Sequence, residues 1–198
     1  MIPSAPLVVK LGGSLYDRVI DLAPILARSA RPLLIVPGGG KFADAIRAAE
    51  LPADDAHWEA IQAMDRYGAY ISTFGIPVTK RLAVPEKTTV LLPYTPTRKR
   101  DPLPHSWDIT SDTIAAWVAK ILGLDLLILK SVDGIRLHGH IETIIRAPVQ
   151  TDVVDPCCIP YILKTNLRAV IINGAQPDTV ARFLNGERVP GTWIGTTF

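Results

Sequence analysis

Residues 7–14 read Leu7-Val8-Val9-Lys10-Leu11-Gly12-Gly13-Ser14, a short apolar run that leads through a lysine into a glycine turn. A related pattern follows about one βαβ unit later, where Leu34-Ile35-Val36-Pro37 leads into Gly38-Gly39-Gly40. Apolar runs without alternation are typical of strands that are buried on both faces of a parallel sheet. Ligands of such sheets bind at the carboxyl ends of the strands. The two glycine turns therefore predict two anionic groups that are held facing one another.

Strand-like and helix-like segments alternate along the rest of the chain. The strands are predicted at residues 7–11, 33–36, 90–92, 126–129 and 169–172. The helices are predicted at residues 19–30, 42–49, 54–71, 111–123 and 178–184, from their apolar periodicity and their end residues. This alternation predicts an α/β fold, a three-layer αβα sandwich with a mainly parallel central sheet.

Length and composition set the scale of the molecule. With 198 residues, of which 48% are hydrophobic, the chain can form one α/β domain with a sizeable core. Residues 82–104 are rich in proline and basic residues, and we expect them to cross from a first lobe to a second lobe of the same sheet. We therefore predict a single domain, 1–198, with lobes at about 1–104 and 105–198.

Charge and cysteine content restrict the partners and the compartment. The net charge of +2 requires no nucleic-acid partner. No apolar run approaches the ~20 residues that cross a bilayer, and early prolines interrupt the region where a signal peptide would lie. Cys157 and Cys158 are adjacent, which suits neither a structural disulfide nor a metal site. We expect a cytoplasmic protein with reduced thiols, no membrane contact and no metal-ligating residues.

The two glycine turns are the first candidate binding elements. The N–H groups of Gly12 and Gly13 can approach phosphate oxygens, and Lys10 can neutralise charge on a transferring phosphoryl group. The alternative is a plain strand and turn with a solvent-exposed lysine. Three successive glycines at 38–40 are costly in conformational entropy, so a backbone constraint is expected there. They can cradle a second phosphate or carboxylate, or make a tight turn.

Residues 105–112 form a polar segment just before a predicted helix. Asp112 can cap that helix, or it can orient lysines around a phosphate. Trp107 can pack in the core or stack on a flat ligand. His105 can be structural or can bind a ligand. The residues alone leave each of these alternatives open.

Two further lysines are candidates for anion binding. Lys130 ends an apolar strand, which places it at the ligand-binding edge of the sheet. The Asp133-Gly134 pair that follows it is equally well explained as a turn. Lys164 ends the apolar helical stretch 159–164, from which it can extend to solvent or supply a second cation.

Taken in order, these elements resemble the amino-acid kinase family, which includes acetylglutamate, aspartate, uridylate, carbamate and isopentenyl phosphate kinases. The matching segments cover nearly the whole chain and are Lys10-Leu11-Gly12-Gly13-Ser14, Pro37-Gly38-Gly39-Gly40, Thr110-Ser111-Asp112, Val132-Asp133-Gly134, Lys164, Asn173-Gly174 and Gly191-Thr192. Within that family, the His-Ser-Trp-x-Ile-Thr-Ser-Asp segment at 105–112 is similar to the short kinases of methanofuran biosynthesis, which act on (5-(aminomethyl)furan-3-yl)methyl phosphate.

The resemblance implies a role for each site residue. Lys10 and Lys164 would flank the transferring phosphate, with Asp112 organising them. The first lobe would bind the acceptor and the second the nucleotide. The implied nucleotide contacts are Gly12, Gly13, Ser14, Lys130, Ser131, Asp133 and Gly134. The implied acceptor contacts are Gly38, Gly39, Gly40, His105, Ser106 and Trp107. Many relatives carry Thr-Asp where this chain has Lys130-Ser131, so the nucleotide contacts depart from the family pattern at that point.

The resemblance also implies an activity, which is transfer of phosphate from ATP, with Mg²⁺, to a small phosphomonoester to form a diphosphate. Alternative acceptors are isopentenyl phosphate, a nucleoside monophosphate or an acidic amino acid, and a further alternative is a non-catalytic nucleotide-binding storage or regulatory protein. Family members form dimers or larger assemblies. The face of helix 56–71 that carries Trp58, Ile61 and Tyr67 can supply such an interface or pack in the core.

Overall fold

A computed structural model describes residues 5–195, which form a central sheet of eight strands. The strands of the chain are β1 (Leu7–Leu11), β2 (Leu33–Pro37), β3 (Val78–Thr79), β4 (Thr89–Leu91), β5 (Leu126–Lys130), β6 (Arg136–Leu137), β7 (His140–Ile141), β8 (Ile144–Ile145), β9 (Ala169–Asn173) and β10 (Thr192–Ile194). The order in the central sheet is β3-β4-β2-β1-β5-β9-β10-β8, and the β6–β7 hairpin lies apart. Within the central sheet only the β9–β10 pairing is antiparallel.

Helices cover both faces of this sheet. They are α1 (Val19–Ala27), α2 (Lys41–Ala48), α3 (Ala53–Ser72), α4 (Tyr94–Arg100), α5 (Ser111–Leu122), α6 (Cys158–Lys164) and α7 (Pro177–Leu184). Along β1, Val8 packs in the cluster formed with α5 and α6, whereas Leu7 and Val9 pack in the cluster formed with α1 and α7. Successive strand residues point to opposite faces, so an entirely apolar strand serves both layers. The predicted three-layer sandwich is confirmed.

The long strands agree with the sequence prediction within one residue at each end. The strand predicted at residues 90–92 is β4, shifted by one residue. The other two- and three-residue strands were not predicted, because so short a segment shows no measurable periodicity. Helix α1 begins at the predicted residue but ends three residues early, and a 3₁₀ turn at Gly13–Arg18 precedes it. The proline-rich segment 82–104, which was expected to cross between the lobes, contains strand β4 and helix α4.

The two halves of the chain meet inside the sheet. Strands β1–β4 come from residues before 104 and occupy one side, and β5, β8, β9 and β10 occupy the other, with β1 paired to β5 at the centre. The proposed interface residues Trp58, Ile61 and Tyr67 are all buried within the chain itself, which is the core-packing alternative. Formation of a homo-oligomer therefore remains a prediction, and its interface would have to be formed by other side chains. Across residues 5–195, no helix is long and apolar enough to span a membrane.

Candidate active site

A buried carboxylate holds two lysines where β1, β5 and α5 meet. The Nζ atom of Lys10 lies 2.7 Å from Oδ1 of Asp112, and the Nζ atom of Lys130 lies 2.8 Å from Oδ2. Lys10 pairs with Ile128 across the parallel strands, so Lys130 lies two residues further along on the same face of the sheet. Asp112 enters from the first turn of α5, which packs over β1. Side chains far apart in sequence therefore form one compact group.

The charges in this group shift one another's protonation. Burial lowers the pKa of Lys10 to about 8, although the Asp112 carboxylate acts in the opposite direction and the Lys130 ammonium adds to the lowering. Burial alone would raise the pKa of Asp112, but the two lysine ammonium groups outweigh it and hold that pKa below its ordinary value. Asp112 is therefore ionised at neutral pH and balances one of the two positive charges.

Asp155 holds the first turn of α5 in place. Its carboxylate accepts hydrogen bonds from the backbone N–H and the hydroxyl of Thr110, at 2.9 Å each, and from the N–H of Thr113 at 3.0 Å. The hydroxyl of Thr113 also donates to it. A carboxylate from a distant loop thus caps the helix, which leaves the side chain of Asp112 free to bind the lysines.

The two glycine turns lie against each other at the same edge of the sheet. A Cβ atom on Gly13 would come within 2.4 Å of the Cα atom of Gly40, and one on Gly38 within 2.7 Å of the backbone nitrogen of Gly13. Such distances are far below van der Waals contact, so these positions exclude any side chain. The glycines allow the backbones of the two turns to approach closely, which is the backbone constraint expected from the three successive glycines at 38–40.

Two cavities open from this point and share four lining residues, Lys10, Gly13, Ser14 and Lys130. The larger cavity has a volume of about 520 Å³, and the smaller has a volume of about 340 Å³. Among the predicted residues, those that also line the larger cavity are Gly39, Gly40, Ser106, Trp107 and Asp112. Gly12 and Ser131 line the smaller cavity, together with Val132, Asp152 and Val153. The lysine pair therefore lies at the junction of two separate binding spaces.

The larger cavity has an apolar wall and a polar rim. Its wall includes one face of α3 and the side chains of Ile109 and Ile114, and His57 lies within it. The guanidinium of Arg47 lies over the ring of Trp107, 4.9 Å from its centre, and both residues line the cavity. Trp107 is exposed rather than buried in the core, so it is available to contact a ligand.

Five predicted site residues line neither cavity, namely Lys164, Gly38, His105, Asp133 and Gly134. Gly38 is packed between the turns. His105 is held by Asp54 and Asp101 and stacks on His57, so it lies behind the cavity wall. Asp133 accepts a hydrogen bond from the Asn173 amide at 2.8 Å, and Gly134 lies against Thr192. These contacts give Asp133 and Gly134 a structural role, which agrees with the alternative interpretation of the pair as a turn.

The structure does not bring Lys164 together with the other predicted site residues. Lys164 is exposed at the last residue of α6 and lines neither cavity. The next residue, Thr165, accepts a hydrogen bond from Lys120 in the last turn of α5, whereas Asp112 lies in the first turn. Those turns are about 12 Å apart at 1.5 Å per residue. In this structure the second lysine that contacts Asp112 is Lys130, which the resemblance assigns to the nucleotide contacts.

Sequence reasoning missed three residues of the site. Asp155, His57 and Arg47 lie in segments without a distinctive motif, and each acts through contacts that span the fold. For His57 a signal was present, because it interrupts an otherwise apolar helical face at Ala53, Ala56, Ala60, Ile61 and Met64. For Asp155 and Arg47 we find no local signal.

Comparison with known proteins identifies the family, although no family model matches the sequence. The [5-(aminomethyl)furan-3-yl]methyl phosphate kinase of Methanocaldococcus jannaschii is 31% identical over an alignment of 207 positions, which covers 91% of this chain and 93% of that protein. The UMP kinase of Ureaplasma parvum superposes with a TM-score of 0.74 at 15% identity, covering 98% of this chain and 99% of that one. An isopentenyl phosphate kinase superposes with a TM-score of 0.69 at 16% identity, covering 96% and 100%. The chain therefore belongs to the amino-acid kinase family and is a relative of the aminomethylfuran phosphate kinase.

Proposed function

We propose that this protein is an ATP- and Mg²⁺-dependent kinase that converts a small phosphomonoester into a diphosphate. The observation that carries the proposal is the junction of two cavities at the Lys10–Asp112–Lys130 group. A phosphoryl group that passes from one bound molecule to another needs this arrangement, with positive charge between two binding spaces. The smaller cavity suits the donor phosphates, and the larger cavity suits the acceptor.

Catalysis in this proposal consists of positioning and charge neutralisation. The N–H of Gly12 already donates to the carbonyl of Leu129 at 3.1 Å, so the remaining N–H groups of the turn would bind phosphate oxygens. Lys10 and Lys130 stabilise the negative charge on the transferring group. Asp112 keeps the two ammonium groups at fixed positions, and Asp155 keeps Asp112 in place. The acceptor phosphate attacks the γ-phosphorus of ATP while the bond to ADP breaks, so no covalent enzyme intermediate is needed.

Mg²⁺ would arrive with the nucleotide. Residues 5–195 contain no cluster of three or more acidic, histidine or cysteine side chains that could hold a metal ion. Magnesium commonly keeps several waters and binds through substrate phosphates with one or two carboxylates. Asp152 on the lining of the smaller cavity is a carboxylate suited to this part. The ion would neutralise charge on the donor phosphates.

The acceptor we propose is (5-(aminomethyl)furan-3-yl)methyl phosphate, as a step in the biosynthesis of a methanofuran-type cofactor. Support comes from the curated relative, which matches along nearly its whole length. A flat ring can stack on the exposed Trp107 at the rim of the larger cavity. The alternative acceptors for a kinase of this fold are isopentenyl phosphate, a nucleoside monophosphate and an acidic amino acid. The alternative to an enzyme is a non-catalytic nucleotide-binding storage or regulatory protein.

A panel of acceptors assayed for ADP release tests this function. The purified protein would be incubated with ATP, Mg²⁺ and each acceptor in turn. We expect the aminomethylfuran phosphate to give the highest kcat/KM and a diphosphate product by mass spectrometry. Preference for another phosphomonoester would reassign the acceptor and leave the chemistry unchanged. ATP binding without turnover on any acceptor would support the storage or regulatory alternative.

We also propose that the protein works in the cytoplasm as a homodimer or larger homo-oligomer, with small phosphorylated molecules as its partners rather than nucleic acid or membranes. The net charge of +2 and the reduced, unpaired state of Cys157 and Cys158 in the structure agree with this setting. Sedimentation equilibrium at several protein concentrations would measure the assembly. A monomer at all concentrations would contradict the oligomer.

A further inference from the structure

His57 differs from every other residue on its side of α3. The helix turns residues Ala53, Ala56, His57, Ala60, Ile61 and Met64 toward the larger cavity, at the spacing of one helical face. Five of these six side chains are apolar. Small alanines on either side of His57 leave space in front of the helix. An imidazole in such a surrounding needs either a hydrogen-bond partner in the protein or one in a ligand.

The protein does not supply that partner within the described residues. His57 is only 6% exposed, and no hydrogen bond joins its ring nitrogens to any residue in 5–195; these nitrogens are not among the fully buried unpartnered atoms, so the solvent of the cavity reaches them. Its ring contacts are a stack on His105, at 4.2 Å between centres, and an edge contact with Trp58 at 4.8 Å. Burial, together with the charge of His105, lowers the pKa of His57 to about 4. The ring is therefore neutral at physiological pH, and one nitrogen has a free lone pair.

His105 fixes this ring and determines the local charge. Its Nδ1 lies 2.7 Å from Asp54, and its Nε2 lies 2.8 Å from Asp101. A neutral imidazole has one N–H, so two carboxylate partners favour the protonated ring, and these hydrogen bonds raise the pKa of His105. With His105 positive, His57 neutral and the two aspartates negative, the cluster carries a net charge of about −1.

We infer that His57 is a specificity residue, whose free ring nitrogen accepts a hydrogen bond from a primary ammonium group on the acceptor. The inference rests on the proposed function, in which the larger cavity binds the acceptor. The acceptor phosphate binds at the lysines, and its ammonium binds at the one polar position of the α3 face. An apolar acceptor such as isopentenyl phosphate would leave the imidazole unpaired, which is unfavourable.

Two carboxylates on the same cavity are the rival partners for the ammonium. Asp17 and Asp44 also line it, but both are exposed, and Asp44 lies 3.5 Å from the guanidinium of Arg47. Exposed charges interact weakly because water screens them. A buried and otherwise unpartnered acceptor gains more from the same ammonium. The variant Asp44→Asn is therefore the matched control for His57.

The test compares two acceptors on a set of variants. One acceptor is the aminomethylfuran phosphate, and the other carries a methyl group in place of the aminomethyl group. We expect His57→Leu to lower the ratio of their kcat/KM values, amine over methyl, by about 10- to 100-fold, the worth of a hydrogen bond to a charged group. His57→Gln, which retains an acceptor atom, should recover part of that ratio. Asp44→Asn should change it by less than about threefold.

Equilibrium titration of each acceptor without ATP, followed by tryptophan fluorescence, separates this inference from the proposed function. If the wild-type protein forms no diphosphate but binds the amine more tightly, and His57→Leu removes that preference, the kinase proposal fails and the inference stands. Equal losses for both acceptors in His57→Leu would show a structural role and overturn the inference. The inference would also be overturned if the preference for the amine were lost in Asp44→Asn alone, or if the amine-to-methyl ratio were unchanged in both His57 variants. The absence of any preference for the amine in the wild-type protein would overturn it as well.

Discussion

At the scale of single residues, the site depends on one carboxylate shared by two lysines. Asp112 lies within 2.8 Å of both ammonium groups, and it is almost fully buried. One negative charge against two positive charges leaves a net positive group where the two cavities meet. An incoming phosphate completes the charge balance, which is why this group suits phosphoryl transfer better than a closed structural ion pair would.

The first prediction compares three lysines. Lys10→Ala and Lys130→Ala should each lower kcat by about 10²-fold or more, because each removes a positive charge from the transferring group. Lys164→Ala should leave kcat within about twofold, since that side chain is exposed and lines neither cavity. Steady-state ADP release measures all three, with circular dichroism to confirm folding. Near-normal turnover in Lys10→Ala, or a large loss in Lys164→Ala, would refute the assignment.

The second prediction concerns pH. Because the pKa of Lys10 in the free protein is lowered to about 8, kcat/KM for ATP should fall as the pH rises above that value. The free energy of unfolding should not fall over the same pH range. The unfolded chain has the higher lysine pKa, so it binds more protons between pH 8 and 10.5, and this group makes the unfolding free energy rise with pH. A profile measured from pH 6 to 10 tests the activity. Lys10→Arg should move the alkaline decline upward, whereas an unmoved decline would assign it to another group.

At the scale of elements, the start of α5 shows how a distant segment positions a catalytic side chain. The side chain of Thr110, the residue before the helix, accepts no capping hydrogen bond. The carboxylate of Asp155 instead accepts hydrogen bonds from the N–H groups of Thr110 and Thr113, which have no partner within the helix. The N–H of Asp155 in turn lies 3.4 Å from Oδ2 of Asp112. The loop before α6 and the first turn of α5 therefore form one unit beside the lysines.

The third prediction follows from that unit. Asp155→Ala should lower the unfolding free energy by about 2 kcal/mol or more, because it leaves buried N–H and hydroxyl groups without a partner. It should also lower kcat, since Asp112 loses its support. Urea denaturation measures the first effect and ADP release the second. Asp178→Ala, in the exposed first turn of α7, is the matched control and should cost less than about 1 kcal/mol. Equal costs in the two variants would contradict the capping role.

At the scale of the whole molecule, one sheet joins the two halves of the chain. β1 and β5 are adjacent, fully paired and buried on both faces, so no polar boundary separates residues before 104 from those after it. The cluster around α5 includes Trp58 from the first half and Trp117 from the second. Acceptor and nucleotide binding by separate lobes remains a proposal, but the hydrophobic core is continuous between them.

The fourth prediction is that the chain unfolds as one cooperative unit. Variants that retain only Trp58 or only Trp117 report on the two halves separately, and both side chains are buried. Within each variant, the fluorescence transition in urea should have the same midpoint and slope as the loss of circular dichroism. Two separated transitions would show that the lobes are independently stable despite the shared sheet.

The sequence by itself determined the layered fold, the long strands and the two glycine turns, because apolar strands and close backbone approach leave local signatures. The Lys10–Asp112 contact followed from a resemblance rather than from any local pattern. The pairing of Lys130, rather than Lys164, with Asp112 is visible only in the folded chain, since both lysines end apolar segments and only strand register and helix direction distinguish them. The same is true of His57 and Asp155, whose roles come from contacts with residues 42 to 48 positions away. Local periodicity specifies which face of an element is buried, but a site assembled from several elements depends on how those elements pack.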